Sequence, residues 1–109
     1  GSKILLLGVA YKKDIDDLRQ SPALKLLKIL EEEGAEITYN DPHIGEFEYQ
    51  DKHYDSKELT NDLLAEADAT IIATAHTAYD YQKIVDQSEV IFDTRNATQD
   101  IEADNIIKL

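Results

Sequence analysis

The chain has 109 residues, 42% of them hydrophobic and 31% charged, with 23 acidic against 11 basic side chains for a formal net charge of −12. That length suits one domain with a core of its own, and so acidic a balance argues against nucleic acid or an anionic membrane as a partner. Cysteine is absent, which excludes disulfides, thiolate metal sites and a cysteine nucleophile within these residues.

No apolar run nears the roughly 18 residues that read as a membrane helix, and no signal peptide opens the chain, so a soluble protein of the cytoplasm is predicted. Gly1-Ser2 reads as the scar of a cleaved tag, and the predicted domain runs over residues 3–109. The excess acid is read as solvated helix faces. It also makes an anion site conspicuous, since such a site must draw on few cations and on main-chain N–H groups.

Lys3 to Leu7 is a short apolar run closed by Gly8, the pattern of a central parallel strand covered on both faces. Pro22 to Gly34 reads as a helix, with Ser21 as N-cap, Pro22 at the first helical position and Gly34 as the left-handed stop. Ala23, Leu24, Leu27 and Leu30 form its apolar stripe, widened by Leu26 and Ile29. Ala35 to Asn40 is a second strand, broken by Asp41-Pro42, so the first 40 residues make a βαβ unit. Residues 43–58 are polar, aromatic and irregular, with a short edge strand expected near His53-Tyr54. Leu59 to Ala67 is a predicted helix with Thr60 as N-cap, and Ala69 to Thr74 a buried strand. Thr77-Ala78-Tyr79-Asp80 resembles a capping box with Asp in place of Glu or Gln, opening a helix to about Gln87. Val90 to Asp93 and Asn105 to Leu109 are the remaining strands. The alternation predicts a Rossmann-like three-layer α/β domain, an open and mostly parallel sheet with helices on both faces.

Ligands of such sheets bind beyond the carboxyl ends of the strands. Three segments qualify: Gly8 to Arg19, Thr74 to Thr77, and Asp93 to Asn96. The segments after the second and last strands carry little comparable chemistry. The first and third predict Lys12, Lys13, Arg19 and Arg95 at one edge, where phosphate is the natural guest because charge-assisted bonds to it are each worth about 1.5–3 kcal/mol. Local readings stand beside this one. Arg19 can pair with Asp16 or Asp17, Lys13 can be a surface charge, and Arg95 can brace its loop through Asp93.

Other signals are missing. One glycine in the first turn is not G-x-G-x-x-G, and no P-loop is present. His43, His53 and His76 lack ligand-like spacing, so no zinc site and no other metal site is predicted. Asp14, Asp16 and Asp17 lack the calcium-loop pattern and read as a solvated or salt-bridged turn. His76 alone among the histidines is placed to touch a ligand, or else to hold local structure.

Gly8-Val9-Ala10-Tyr11-Lys12-Lys13-Asp14-Ile15-Asp16-Asp17-Leu18-Arg19-Gln20-Ser21-Pro22 resembles the opening signature of the C-terminal domain of the UDP-glucose/GDP-mannose dehydrogenase family. The likeness continues through Gly34-Ala35, Tyr39-Asn40-Asp41-Pro42, Glu66-Ala67-Asp68-Ala69 and Ile72-Ala73-Thr74, and ends at Phe92-Asp93-Thr94-Arg95-Asn96. Its wording is most similar to enzymes acting on UDP-N-acetyl-hexosamines. The resemblance implies a substrate-binding domain of an enzyme that oxidises the C6 hydroxyl of a nucleotide sugar to a carboxylate in two NAD-dependent steps, as in polysaccharide biosynthesis. UDP-N-acetylglucosamine or a related UDP-hexosamine is the implied substrate.

It further implies that NAD and the catalytic cysteine belong to an N-terminal domain of the same polypeptide, that full-length enzymes pair as homodimers through a central helical region, and that this fragment alone is inactive. By resemblance, Lys12 reaches the substrate, Tyr11 is the neighbouring aromatic, and Arg95 or Asn96 is a further substrate contact; no residue here is catalytic. A receiver-type regulatory module and a ligand-free interaction domain are the alternatives. A receiver needs an aspartate ending its third strand and a lysine after its fifth, and the match is poor.

Overall fold

A computed structural model describes residues 2–10, 14 and 21–108. Five strands, β1 (Lys3–Leu7), β2 (Glu36–Asn40), β5 (Ala69–Ile72), β6 (Ile91–Asp93) and β7 (Ile106–Lys108), form one sheet in the order β2-β1-β5-β6-β7. Every neighbouring pair is parallel, with Leu6 opposite Tyr39 on one side and Ile71 on the other.

The strand period of two sends Leu6 to one face and Leu5 and Leu7 to the other. On the first face lies helix α1 (Pro22–Glu32), which buries Ala23, Leu24 and Leu27. On the second lie α2 (Asn61–Glu66), through Leu64, and α3 (Tyr81–Gln87), through Ile84 and Val85. Each fully buried leucine contributes about 2 kcal/mol by removal from water, which explains the unbroken apolar run of β1. The three-layer α/β architecture is the expected one.

Local details depart from expectation at several places. Ser21 occupies the N-cap position, but its hydroxyl donates to the Val9 carbonyl at 2.6 Å and does not cap the helix. The stop is a Schellman arrangement: Gly34, at φ +93, donates to Glu31 O at 3.0 Å, and Ala35 donates to Leu30 O at 3.1 Å. Thr60 caps α2 through Leu63 N–H at 3.1 Å as predicted. Helix α3 begins only at Tyr81, because Asp80 is its cap, accepting from Lys83 N–H at 3.2 Å, while Thr77 is used elsewhere. Strand β5 stops at Ile72, two residues early, because Ala73 and Thr74 both turn their N–H groups to the Leu7 carbonyl.

The segment 43–58 corrects the expectation of one edge strand. It holds an antiparallel hairpin, β3 (Glu46–Tyr49) and β4 (Lys52–Asp55), outside the main sheet. Gln50 and Asp51 both have positive φ, 54° and 66°, the requirement of a two-residue I′ turn. Neither is the Asn or Gly that usually announces one. Phe47 stacks on its cross-strand partner Tyr54 at 5.0 Å and meets Tyr39 at 5.0 Å, so the hairpin extends the core of the α1 face. Glu31 of α1 ties it down, accepting from the Tyr54 hydroxyl at 2.5 Å and from Lys52 Nζ at 2.6 Å.

Candidate functional site

Strands β1 and β5 are neighbours, yet the chain leaves β1 for β2 on one side and leaves β5 for β6 on the other. Helix α1 covers one face and α3 the opposite face, so β1 and β5 flank a topological switch point, the place beyond the carboxyl ends where open α/β sheets bind ligands. Gly8 lets the two loops meet there. Its φ is +85, and a Cβ on it would collide with Thr74 Cβ and lie 2.9 Å from Thr74 O. Thr74 closes the join by donating its hydroxyl to Ala10 O at 2.9 Å.

Asp41, which follows β2, is the hub of this edge, although the sequence marks it as part of a strand breaker and of the family-like wording and gives it no role in the site. Its Oδ2 accepts from Val9 N–H at 2.8 Å, Ala10 N–H at 3.3 Å and His76 Nε2 at 2.9 Å, and its Oδ1 accepts from His43 N–H at 2.8 Å. His76 is 0% exposed, and its Nδ1 accepts the Asp14 main-chain N–H at 2.7 Å. A main-chain N–H can only donate, so the ring carries its proton on Nε2, facing Asp41. The expectation of little chemistry after the second strand is thereby corrected, and His76 takes the structural role left open for it.

Asp14 stands at φ 62 and accepts the Thr77 hydroxyl at 2.5 Å and the Thr77 N–H at 2.7 Å. The Thr77 hydroxyl bond is the main reason that its carboxyl is held below the ordinary value. Tyr79 donates to Asn40 O at 2.7 Å and Tyr81 to His76 O at 2.7 Å. Burial pushes both phenols up, Tyr81 to about 12, so both remain donors.

The loop after β6 is built on Asp93. Its Oδ1 accepts from Arg95 and Ala97 N–H, both at 3.0 Å, and its Oδ2 accepts from Thr98 N–H at 2.8 Å and Thr98 Oγ1 at 2.6 Å. Burial raises the carboxyl, but the Thr98, Ala97 and Arg95 bonds outweigh it and hold the group below its ordinary value. Arg95 therefore meets Asp93 through its main chain. Its side chain turns to β5, with Nε donating to the Ala73 carbonyl at 2.9 Å, which puts the guanidinium at the switch point. Asn96 is exposed at φ 57, a conformation Asn tolerates, and its amide donates to Gln99 at 3.3 Å.

Of the residues nominated from the sequence, Arg95 and Asn96 stand at the carboxyl edge of the sheet, while Tyr11, Lys12, Lys13, Asp16, Asp17 and Arg19 lie outside the described residues. Three residues with no ligand-like spacing in sequence come together: one donor atom each of Asp14, His43 and His76 lie within 4.8 Å of one another. The His76 Nδ1 and both Asp14 oxygens in that group already accept hydrogen bonds. At the opposite, amino end of the strands, a cavity of about 190 Å³ is lined by Glu36 and Glu66 with Lys3, a poor seat for an anion. Among the described residues no helix is long and apolar enough to cross a membrane.

The sequence profile of the UDP-glucose/GDP-mannose dehydrogenase family, UDP binding domain, matches residues 5–100. Over 102 residues the chain is 30% identical to the UDP-N-acetyl-D-mannosamine dehydrogenase of Methanococcus maripaludis (strain C7), covering 86% of this chain and 22% of the relative. Over 104 residues it is 33% identical to the UDP-glucose 6-dehydrogenase of Rhizobium meliloti, covering 88% and 23%. Among solved structures, a UDP-D-ManNAc dehydrogenase from Pyrococcus horikoshii superposes with a TM-score of 0.75 at 26% identity, over 98% of this chain and 25% of that one. A GDP-mannose dehydrogenase from Pseudomonas aeruginosa shares the fold, with a TM-score of 0.73 at 17% identity over 98% of this chain and 28% of that one. The chain thus spans roughly a quarter or less of the length of the curated relatives it matches.

Proposed function

The chain belongs to the UDP-glucose/GDP-mannose dehydrogenase family, in its UDP binding domain, and on that premise we propose that it holds the nucleotide of a UDP-sugar for an NAD-dependent 6-dehydrogenase. The reaction oxidises the sugar C6 hydroxyl to a carboxylate. NAD and the nucleophile belong to an N-terminal domain of the same polypeptide, so this domain, taken as residues 3–109, is inactive by itself. The full-length enzyme is a cytoplasmic homodimer serving polysaccharide synthesis. Its substrate is a UDP-N-acetyl-hexosamine, a choice supported by relatives named as UDP-N-acetyl-D-mannosamine dehydrogenases.

The observation that carries this reading is Arg95. In a chain of net charge −12, its guanidinium stands at the carboxyl edge of the parallel sheet, pinned to the Ala73 carbonyl at 2.9 Å beside the β1/β5 switch point. A planar cation there suits a diphosphate. Lys12 is the second phosphate contact, Tyr11 lines the nucleotide beside it, and Asn96 offers an exposed amide next to Arg95. In this scheme the domain binds and orients, and does no bond chemistry.

Calorimetric titration of the chain with UDP and with UDP-N-acetylglucosamine should give saturable binding at millimolar or better affinity, with amide shifts confined largely to the Arg95–Thr98 turn and its surroundings. Silence in both measurements would defeat the reading. In the full-length enzyme, Lys12→Ala and Arg95→Ala should each raise KM or lower kcat at least tenfold, on the order of one charge-assisted bond to phosphate, with an unchanged melting temperature.

A further inference from the structure

We propose that Asp14, His76 and Asp41, together with Thr77, are positioning residues for the nucleotide site; this rests on the reading of that site given above. The four form one continuous line across three loops. Asp41 Oδ2 accepts a hydrogen bond from His76 Nε2–H at 2.9 Å, His76 Nδ1 accepts one from the Asp14 main-chain N–H at 2.7 Å, and the Asp14 carboxylate accepts from Thr77 Oγ1 and N–H at 2.5 and 2.7 Å. The loops after β1, β2 and β5 are thereby set relative to one another at the switch point.

Two properties of this line distinguish placement from general bracing. Asp14 is a non-glycine residue at φ 62, an uncommon backbone state that Asp can enter and that its neighbouring bonds hold in place. The bonds of the Asp14 carboxylate to Thr77 lie at the surface, for that side chain is 42% exposed, and exposed polar pairs add little to global stability. The inner end is a fully buried carboxylate–imidazole pair, which fixes the His76 ring against Asp41. The Asp14–Thr77 tie is therefore of small global worth, at the carboxyl edge of the sheet and two places along the sequence from Lys12. Such an arrangement lowers the ordering cost of binding.

The decisive experiment titrates UDP into the chain and into Thr77→Val, Thr77→Ser, Asp14→Gly and the Asp14→Gly/Thr77→Val double variant, with melting temperatures measured alongside. Glycine accepts the φ, keeps the main-chain N–H of Asp14 and deletes the carboxylate tie while loosening the main chain; Thr77→Val removes the hydroxyl part of the same tie with the main chain unchanged. Thr77→Val and Asp14→Gly should each weaken UDP about three- to tenfold, the worth of one hydrogen bond, and the double variant should lose no more than the worse single. Melting temperatures should stay within a few degrees, and Thr77→Ser, which restores the hydroxyl, should restore affinity. Affinities equal to the parent's, or losses that track melting temperature and ignore the serine rescue, would overturn the positioning role while leaving the UDP site standing. A parent chain that does not bind UDP would remove the site and this inference together.

Discussion

Asp41 and Asp93 both follow or end a parallel strand at the same edge of the sheet and both are buried, at 3% and 1% exposure, yet they spend their oxygens in opposite ways. Asp93 is satisfied within its own turn, by donors at residues 95, 97 and 98. Asp41 reaches across the fold, to Val9, Ala10 and His76, which lie 31 to 35 residues away. The first builds one loop; the second joins three. A local carboxylate presents Arg95, and a long-range one sets the frame into which Arg95 points.

The two glycines with positive φ repeat the contrast. Gly34, at φ +93, ends its own helix in open space, whereas Gly8, at φ +85, is required by Thr74 on another strand's loop.

The hardest way to break the comparison is Asp41→Ala, which strands three main-chain N–H groups and the His76 Nε2 proton. It should cost about 3–5 kcal/mol in urea unfolding, enough to threaten folding of a chain this size. Gly8→Ala should follow at about 2–4 kcal/mol, because the new Cβ meets Thr74 main chain and the φ is adverse as well. A Gly8→Ala chain as stable as the parent would show that the two loops can separate freely.

Asp93→Asn should cost about 2 kcal/mol, since the amide can accept at only one of its two ends. It should also change the acid limb. The Asp93 pKa is lowered on folding, so its contribution is complete above the unfolded value and is lost as pH falls below about 4 and through the folded one. Urea midpoints measured against pH should therefore fall less steeply in Asp93→Asn than in the parent. Gly34→Ala should have the smallest effect, about 1 kcal/mol, for it meets φ strain and no neighbour. A Gly34→Ala chain losing more stability than the Gly8→Ala chain would invert the comparison.

Much of this was legible in the chain. The Leu5-Leu6-Leu7 run, the Pro22 start and Gly34 stop, and the Thr60 cap are local patterns with local causes, and each stands where it was expected. The hairpin was hidden because Gln50 and Asp51 take positive φ without being Asn or Gly; cross-strand stacking of Phe47 on Tyr54 and the anchor at Glu31 hold the turn that its residues do not favour. Sheet order would not have identified the function either. Leaving the hairpin aside, the order 2-1-3-4-5 is shared with flavodoxin- and receiver-type domains, and the motif wording separates them.

By itself the sequence determined the parallel α/β architecture, the switch-point loops and the kinship with nucleotide-sugar dehydrogenases, because apolar periodicity, caps and motif wording act over a few neighbouring residues. Only the tertiary structure decided that Asp41 is a hub, that His76 is buried with its proton on Nε2, that Asp14 closes on Thr77, and that the Arg95 guanidinium turns to Ala73 while only its main-chain N–H meets Asp93. Those partners are brought together by the strand order, and no spacing along the chain encodes which carboxylate a distant imidazole will meet.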